Sequence, residues 1–193
     1  MVDGSSWYDS LTVIDAAIGR VDEPYAAGEA PALAVWGGLQ LRASITAARK
    51  LDADEAYTRL QLAHEAADRL GDRERNDYYK LLFSRPNVAI HDVAVAVELG
   101  DGVEAVKRGA TLRLPADMPT SRSGHHYLDM SRGWLWYGNR DRALAWPWRR
   151  WKGPSGLPRN SSATTRWRAR RCGRCWMPRP AVTGNGSAAW APA

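Results

Sequence analysis

The most informative stretch of the chain is residues 83–105, where apolar side chains recur at helical spacing and a glycine turn follows. Pro86 suits the first turn of a helix, where its missing N–H is not needed, and Gly100 suits the left-handed residue that ends one. Between Val88 and Leu99 only three positions are strongly polar, namely His91, Asp92 and Glu98. So narrow a polar face is typical of a helix buried between neighbours. The stretch therefore predicts a helical hairpin whose first helix is buried.

Most of the chain before residue 146 carries the same helical periodicity. We predict helices at about residues 7–21, 31–50, 52–70 and 120–137, and a further helix that begins at Asn139 or Asp141. Residues 22–31 are rich in Pro, Gly, Glu and Ala and indicate a linker. The second helix contains Gly37 and Gly38, each of which costs a helix roughly 1 kcal/mol relative to alanine. We therefore expect a neighbouring side chain to pack closely against this pair.

Three turns share one pattern, in which an Asp or Asn lies four residues before an alanine. The pairs are Asp52 and Ala56, Asp101 and Ala105, and Asn139 and Ala143. The Asp or Asn side chain can cap the helix that follows, and the small residue lets two helices cross closely. A cap is also available for the helix near residue 120, from Thr120 or Ser121. The pattern predicts an internal repeat of helical hairpins.

Composition divides the 193-residue chain at Trp146. Residues 1–145 contain all 21 acidic residues and 17 basic ones, a net charge of −4, whereas residues 146–193 contain ten basic residues, no acidic ones and six of the ten tryptophans. The formal charge of +6 therefore comes from the tail, and the helical part has no basic surplus for nucleic acid. We predict a short helix and linker at residues 1–30, a repeat domain at 31–145 and a basic, disordered tail at 146–193.

The chain lacks the usual signatures of catalysis, metal binding and membrane insertion. It has no secretory signal and no apolar run of bilayer length, which predicts a cytoplasmic protein without membrane contact. Cys172 and Cys175 have the spacing of half a zinc or redox motif, but no second pair completes it. No nucleophile elbow, phosphate loop or metal signature occurs. We predict no catalytic residue, no metal and no cofactor, and hence a protein that is not an enzyme.

Several segments resemble known helical-repeat proteins. Ala56, Leu60 and Ala63 resemble the small and bulky positions of the second helix of a tetratricopeptide repeat. A closer resemblance, over residues 31–145, is to the C-terminal repeat domain of bacterial helix-turn-helix transcriptional regulators of the xenobiotic-response-element type. The segments that carry it are Pro86–His91, Val95–Asp101, Leu114–Pro115 and Tyr127–Arg132. The resemblance implies an all-α fold of tetratricopeptide-like hairpins stacked as a short α-solenoid.

The resemblance also implies a function. In that family an N-terminal helix-turn-helix binds DNA, and the repeats sense a ligand or partner. Residues 1–31 offer one short helix and a linker, so we expect DNA binding only through a missing N-terminal domain. By similarity of position, Tyr79, Asn87 and His91 are candidates for holding a peptide or protein partner in the groove of the repeats. Two alternatives stay open, in which Asn87 caps its helix and His91 fills a packing position.

Two other functions are compatible with the sequence. A stand-alone repeat scaffold or homodimerisation module would need no ligand switch, so small ligands should not stabilise it, whereas a sensor should show ligand-dependent stabilisation. The Arg- and Trp-rich tail would bind nucleic acid through phosphate contacts and base stacking, and that binding should be sensitive to salt.

The tail itself is consistent with a shifted reading frame. Read one base earlier, the codons of residues 146–152 permit apolar and small residues in a helix-like order, because each Trp codon TGG becomes the end of an xTG codon. Codons further along permit a His-Pro followed by an amphipathic run, which resembles the final helix of the regulator family. We hypothesise that a one-base shift near codons 142–146 replaced the native last helices. Sequencing of the gene tests this.

Overall fold

Eight α-helices follow one another in the part of the chain that the computed structural model describes, which is residues 5–75 and 77–150. They are α1 (Ser5–Gly19), α2 (Asp22–Ala26), α3 (Ala30–Arg49), α4 (Ala53–Leu70), α5 (Arg85–Glu98), α6 (Gly102–Thr111), α7 (Thr120–Trp136) and α8 (Arg140–Arg150). Two 3₁₀ turns, Gly71–Arg75 and Tyr78–Lys80, lie between α4 and α5. No strand occurs in this described part, which confirms the predicted all-α class. The tail from residue 151 onward lies outside the described residues.

The three repeated turns begin helices as the sequence pattern predicts. The carboxylates of Asp52 and Asp101 accept hydrogen bonds from the backbone N–H groups three residues on, at 3.1 and 2.9 Å, and the Asn139 side chain does the same at 3.0 Å. Each bond satisfies one of the donors that a helix start leaves free. The three alanines of the pattern, Ala56, Ala105 and Ala143, are at most 1% exposed, so each lies at a close helix crossing.

From α2 onward each helix contacts the next, and α1, α3, α5 and α7 form a second series of contacts. Contacts join α3 to α4, α5 to α6 and α7 to α8, and further contacts join α3 to α5 and α5 to α7. One apolar core lies among α1, α3, α4 and α5, around Leu33, Leu60 and Val88. A second lies among α5, α6, α7 and α8, around Val93, Met130 and Trp134. Because α5 contributes to both cores, it is the central buried helix that its sequence predicts.

The glycine pair of α3 packs as expected at one of its two positions. A Cβ built on Gly37 would lie 2.6 Å from Cε1 of Phe83, a distance that real contacts do not reach, whereas Gly38 faces open space. Phe83 is 5% exposed and precedes α5, so Gly37 is the point where the ring meets α3. The helix cost of Gly37 is thus offset by packing.

Two local predictions differ from the structure. Residues 22–31 are not only a linker, because they include α2, whose Tyr25 ring stacks on Trp36 with a centroid distance of 4.1 Å. The Trp36 indole N–H also donates to Asp22 at 3.1 Å, so this segment is held on α3 by specific contacts. In α7, neither Thr120 nor Ser121 is the cap, since the helix begins directly after Pro119 without a side-chain cap bond.

Candidate functional site

A cavity of about 280 Å³ is lined by residues of α3, α5 and α7 and by the segment that leads into α5. Its walls are mainly apolar, from Val35, Leu39, Leu41, Ile45, Leu81 and Phe83. Four polar side chains join them, namely Arg42, Asn87, His91 and Arg122. An apolar concave surface with a few convergent polar groups is the usual form of a binding site for a small ligand or one end of a peptide.

Asn87 is the most deeply buried polar group of the cavity wall, at 2% exposure. Its backbone N–H donates to the Ser84 hydroxyl at 3.4 Å, so Ser84 rather than Asn87 is the cap of α5. The side-chain oxygen Oδ1 of Asn87 is shielded from solvent and has no hydrogen-bond partner within residues 5–75 and 77–150. Leaving a buried acceptor unpaired costs about 1–3 kcal/mol, which is unusual in a native fold outside functional sites.

His91 lies one helical turn after Asn87 on the same wall. Its Nδ1 is 2.8 Å from the backbone oxygen of Asn87, and because that partner can only accept, Nδ1 carries the proton. Burial lowers the pKa of His91, and the charges of Arg122 and Arg42 lower it further, against the opposing effect of the hydrogen bond to Asn87. The ring is therefore neutral at physiological pH, and its Nε2 is a hydrogen-bond acceptor.

The two arginines of the cavity come from the outer helices of the site, Arg42 from α3 and Arg122 from α7. Neither forms an ion pair with any carboxylate in the described ranges 5–75 and 77–150. No acidic side chain lines the cavity in this part of the chain. The site thus combines positive charge with two acceptors that lack donors.

The structure brings together two of the three residues that the resemblance indicates. Asn87 and His91 share the cavity wall, whereas Tyr79 is 73% exposed on the second 3₁₀ turn and does not line it. The sequence reasoning missed Arg42 and Arg122. One signal for Arg42 was present, since it is the only charged residue between Pro31 and Ala48.

A second polar cluster joins α4, α5 and α6 but satisfies its own charges. His64 Nε2 lies 3.0 Å from the Asp92 carboxylate, and Arg108 lies 3.7 Å from the same carboxylate and 2.8 Å from Glu104. The Arg108 guanidinium also lies over the Tyr57 ring, 5.1 Å from its centroid. Each charge has a partner of opposite sign, so this cluster holds α4, α5 and α6 together, and three of its charged residues, His64, Asp92 and Arg108, also line an open cavity of about 380 Å³.

The His64–Asp92 pair predicts a pH-dependent contribution to stability. The hydrogen bond to Asp92 raises the pKa of His64 above its ordinary value of about 6.5, despite partial burial. A raised pKa stabilises the fold below about pH 6.5, and the contribution is lost as the pH rises through the raised value. In His64→Gln the loss of thermal stability relative to wild type should be largest near pH 5 and should shrink toward about pH 8. Thermal unfolding across this range measures it.

His125→Gln is the matched control, because His125 is exposed on α7 and is not part of the cluster. The comparison isolates the hydrogen bond to Asp92, which His125 does not form. His91 titrates in wild type and in both variants, so its contribution cancels in each difference. A His64→Gln effect that stays constant with pH, or grows toward about pH 8, would contradict the assignment.

Comparison with known proteins gives no match for this chain, whether with protein-family models, with curated sequences or with solved structures. Among the described residues no helix is both long and apolar enough to cross a lipid bilayer. In the same part of the chain no three His, Cys, Asp or Glu side chains are placed to hold a metal ion. Cys172 and Cys175 lie outside the described residues.

Proposed function

We propose that residues 31–145 are the sensor or interaction module of a bacterial transcriptional regulator, and that they bind a peptide or protein partner in the groove of tetratricopeptide-like repeats. The observation that carries the proposal is the cavity lined by α3, α5 and α7, with the unpartnered Oδ1 of Asn87 and the neutral ring of His91 on its wall. An amide acceptor of this kind can hold a backbone N–H of an extended peptide. The contacts of α5 with both α3 and α7 support the proposal, because every second helix of such repeats faces the groove.

In this proposal the protein acts in the cytoplasm, and DNA is contacted by a helix-turn-helix domain that is not among these residues. Ligand binding shifts the packing of α3 against α5 and α7 between two states, which requires the ligand to bind one state more tightly. Tyr79 belongs to the rim rather than to the cavity, because it lies on the exposed 3₁₀ turn that precedes α5.

The test uses random peptides displayed in two orientations, one library with a free N-terminus and one with a free C-terminus. From each library, peptides that bind the wild-type chain and peptides that bind the Gly38→Leu variant are selected separately. Gly38 lines the cavity and a Cβ built there touches nothing within 4 Å, so leucine fills the cavity without a clash at its first carbon. We expect peptides that bind wild type and fail to bind Gly38→Leu, while both chains unfold at similar temperatures.

The control is Gln61→Leu, which introduces the same side chain at an exposed position of α4 away from the cavity. It should retain every selected peptide. Absence of enrichment in both libraries would overturn the proposal, as would peptides that bind wild type and Gly38→Leu equally.

A stand-alone scaffold or homodimerisation module is the second candidate, and one observation favours it. Leu128 and Leu135 lie seven residues apart on the same side of α7 and are 57% and 52% exposed, and Leu144 on α8 is 73% exposed. A contiguous patch of exposed apolar side chains is typical of a surface that meets another protein. This candidate predicts no peptide enrichment, and for the homodimer a mass in solution of twice 21.4 kDa.

A further inference from the structure

An ion-pair cluster elsewhere in the chain, called the template below, shows how this fold holds a carboxylate between two arginines. Glu98 on α5 forms ion pairs with Arg49 of α3 at 3.4 Å and with Arg132 of α7 at 3.0 Å, so one carboxylate joins the three helices. Burial opposes the charge of Glu98, but the hydrogen bonds and charges of Arg132 and Arg49 lower its pKa. A carboxylate between two arginines is thus an arrangement that this fold already uses.

On α3 and α5 the cavity repeats the arrangement two helical turns away without the carboxylate, whereas on α7 Arg122 lies ten residues before Arg132. Arg42 lies seven residues before Arg49 on α3, and His91 lies seven residues before Glu98 on α5, so each pair shares one side of its helix. Arg122 supplies the second guanidinium from α7. Where the template has a carboxylate, the cavity has the neutral His91 ring, and both arginines are left without an anion among the described residues.

The other cavity groups specify what is attached to that anion. Asn87 Oδ1 has no partner among the described residues, and Asn87 Oδ1 and His91 Nε2 are acceptors that an N–H donor of a ligand can satisfy. Apolar side chains, including Leu39, Ile45 and Phe83, offer a surface for a hydrocarbon group. The volume of about 280 Å³ lies near the lower end of the range for ligand sites, which suits one or two amino-acid residues rather than a long segment.

We propose that this cavity binds an N-acylated α-amino acid group with a free carboxylate and an apolar side chain. Arg42 and Arg122 pair with the carboxylate, Asn87 accepts the single amide N–H, and the apolar wall contacts the side chain. The group has two sources, a free acylated amino acid or the last residue of a peptide or protein. The second source rests on the proposed function, and the first does not.

The test compares acids with their amides by isothermal titration of the full chain. The probes are N-acetyl-leucine against N-acetyl-leucinamide, and an acetylated tetrapeptide that ends in leucine as the acid against the same peptide as the amide. We expect the acid of at least one pair to bind about tenfold more tightly than its amide, because a charge-assisted contact to paired arginines is lost in the amide. Tetrapeptide binding alone identifies a chain terminus as the source, and N-acetyl-leucine binding identifies a small molecule.

Variants separate the cavity from non-specific attraction to a basic chain. Arg42→Gln and Arg122→Gln should each abolish the preference for acid, whereas Arg20→Gln, at an exposed site after α1, should preserve it. His91→Glu supplies the carboxylate from the chain, as Glu98 does in the template, and should abolish acid binding while the fold remains. Thermal unfolding of each variant shows that it is folded.

Equal binding of acid and amide would overturn the inference, as would no binding by any acid or an equal loss of preference in Arg20→Gln. The outcome is separable from that of the peptide selection. Enrichment in the library with a free N-terminus only, together with equal binding of acid and amide, refutes the inference and leaves the proposed function standing. Binding of N-acetyl-leucine without any peptide enrichment refutes the proposed function and leaves the inference standing.

Discussion

Replacing Gly102 by alanine should destabilise the fold by about 2–3 kcal/mol, because the added methyl group meets backbone that cannot rotate away. A Cβ at Gly102 would lie 2.5 Å from the carbonyl carbon of Trp136 and closer still to the backbone nitrogen of Tyr137. These atoms form the end of α7, so the start of α6 must separate from α7 to accommodate the methyl group. Chemical denaturation of wild type and variant measures the free energy of unfolding.

Gly124→Ala is the matched control, since Gly124 also lies in a helix and a Cβ there would touch nothing within 4 Å. Alanine at this position should stabilise the fold by up to about 1 kcal/mol, because glycine is the poorer helix former. Equal effects of the two substitutions would contradict the close approach of α6 and α7.

Gly37→Ala should also destabilise the fold, whereas Gly38→Ala, the adjacent substitution in the same helix, should stabilise it. Overpacking costs about 1–3 kcal/mol and helix propensity returns about 1 kcal/mol, so the net loss at Gly37 is up to about 2 kcal/mol. The buried Phe83 ring must move, since its Cε1 and Cε2 atoms lie 2.6 Å from the new Cβ. At Gly38 no atom lies within 4 Å, and only the propensity gain remains.

Chemical denaturation of the two variants gives the sign of each change. Phe83 also lines the cavity, so Gly37→Ala should weaken the binding of any ligand that Gly38→Leu excludes. Stabilisation by alanine at both positions would show that the ring does not rest on α3 as described.

Local pattern was sufficient for the features that depend on neighbours in sequence. The caps of α4, α6 and α8 and the buried alanines that follow them were readable from a spacing of three or four residues, because a cap bond and a helix crossing need nothing more distant. The shared placement of Asn87 and His91 follows from the same periodicity, since residues four apart lie on one side of a helix.

The cavity itself could not be read in this way. Arg42 and Arg122 are 80 positions apart in the chain, and only the packing of α3 and α7 on α5 brings them to one site. Tyr79 was predicted to lie in the groove but does not line the cavity, and the cause is a local backbone conformation that the sequence pattern does not reveal. Tyr79 adopts a φ of 53° in a turn where Lys80 and Leu82 also have positive φ, so its side chain leaves the path that a regular helix would give it.

The segment at residues 22–31 shows a further limit of composition. Its Pro and Gly content indicates a linker, yet the stacking of Tyr25 on Trp36 and the hydrogen bond to Asp22 order it against α3. Tertiary contacts of this kind outweigh the weak propensity of a five-residue helix.

Ligand binding at the cavity lined by α3, α5 and α7 is the central proposal, and hydrogen exchange of the backbone amides tests it most directly. The chain is compared alone and with the peptide or acylated amino acid that it binds, and mass spectrometry locates the changes. We expect the ligand to slow amide exchange in α3 around Arg42, in α5 around Asn87 and His91, and at the start of α7. Exchange in α8 should be the same with and without the ligand. Protection confined to α6, α8 or the tail would contradict it.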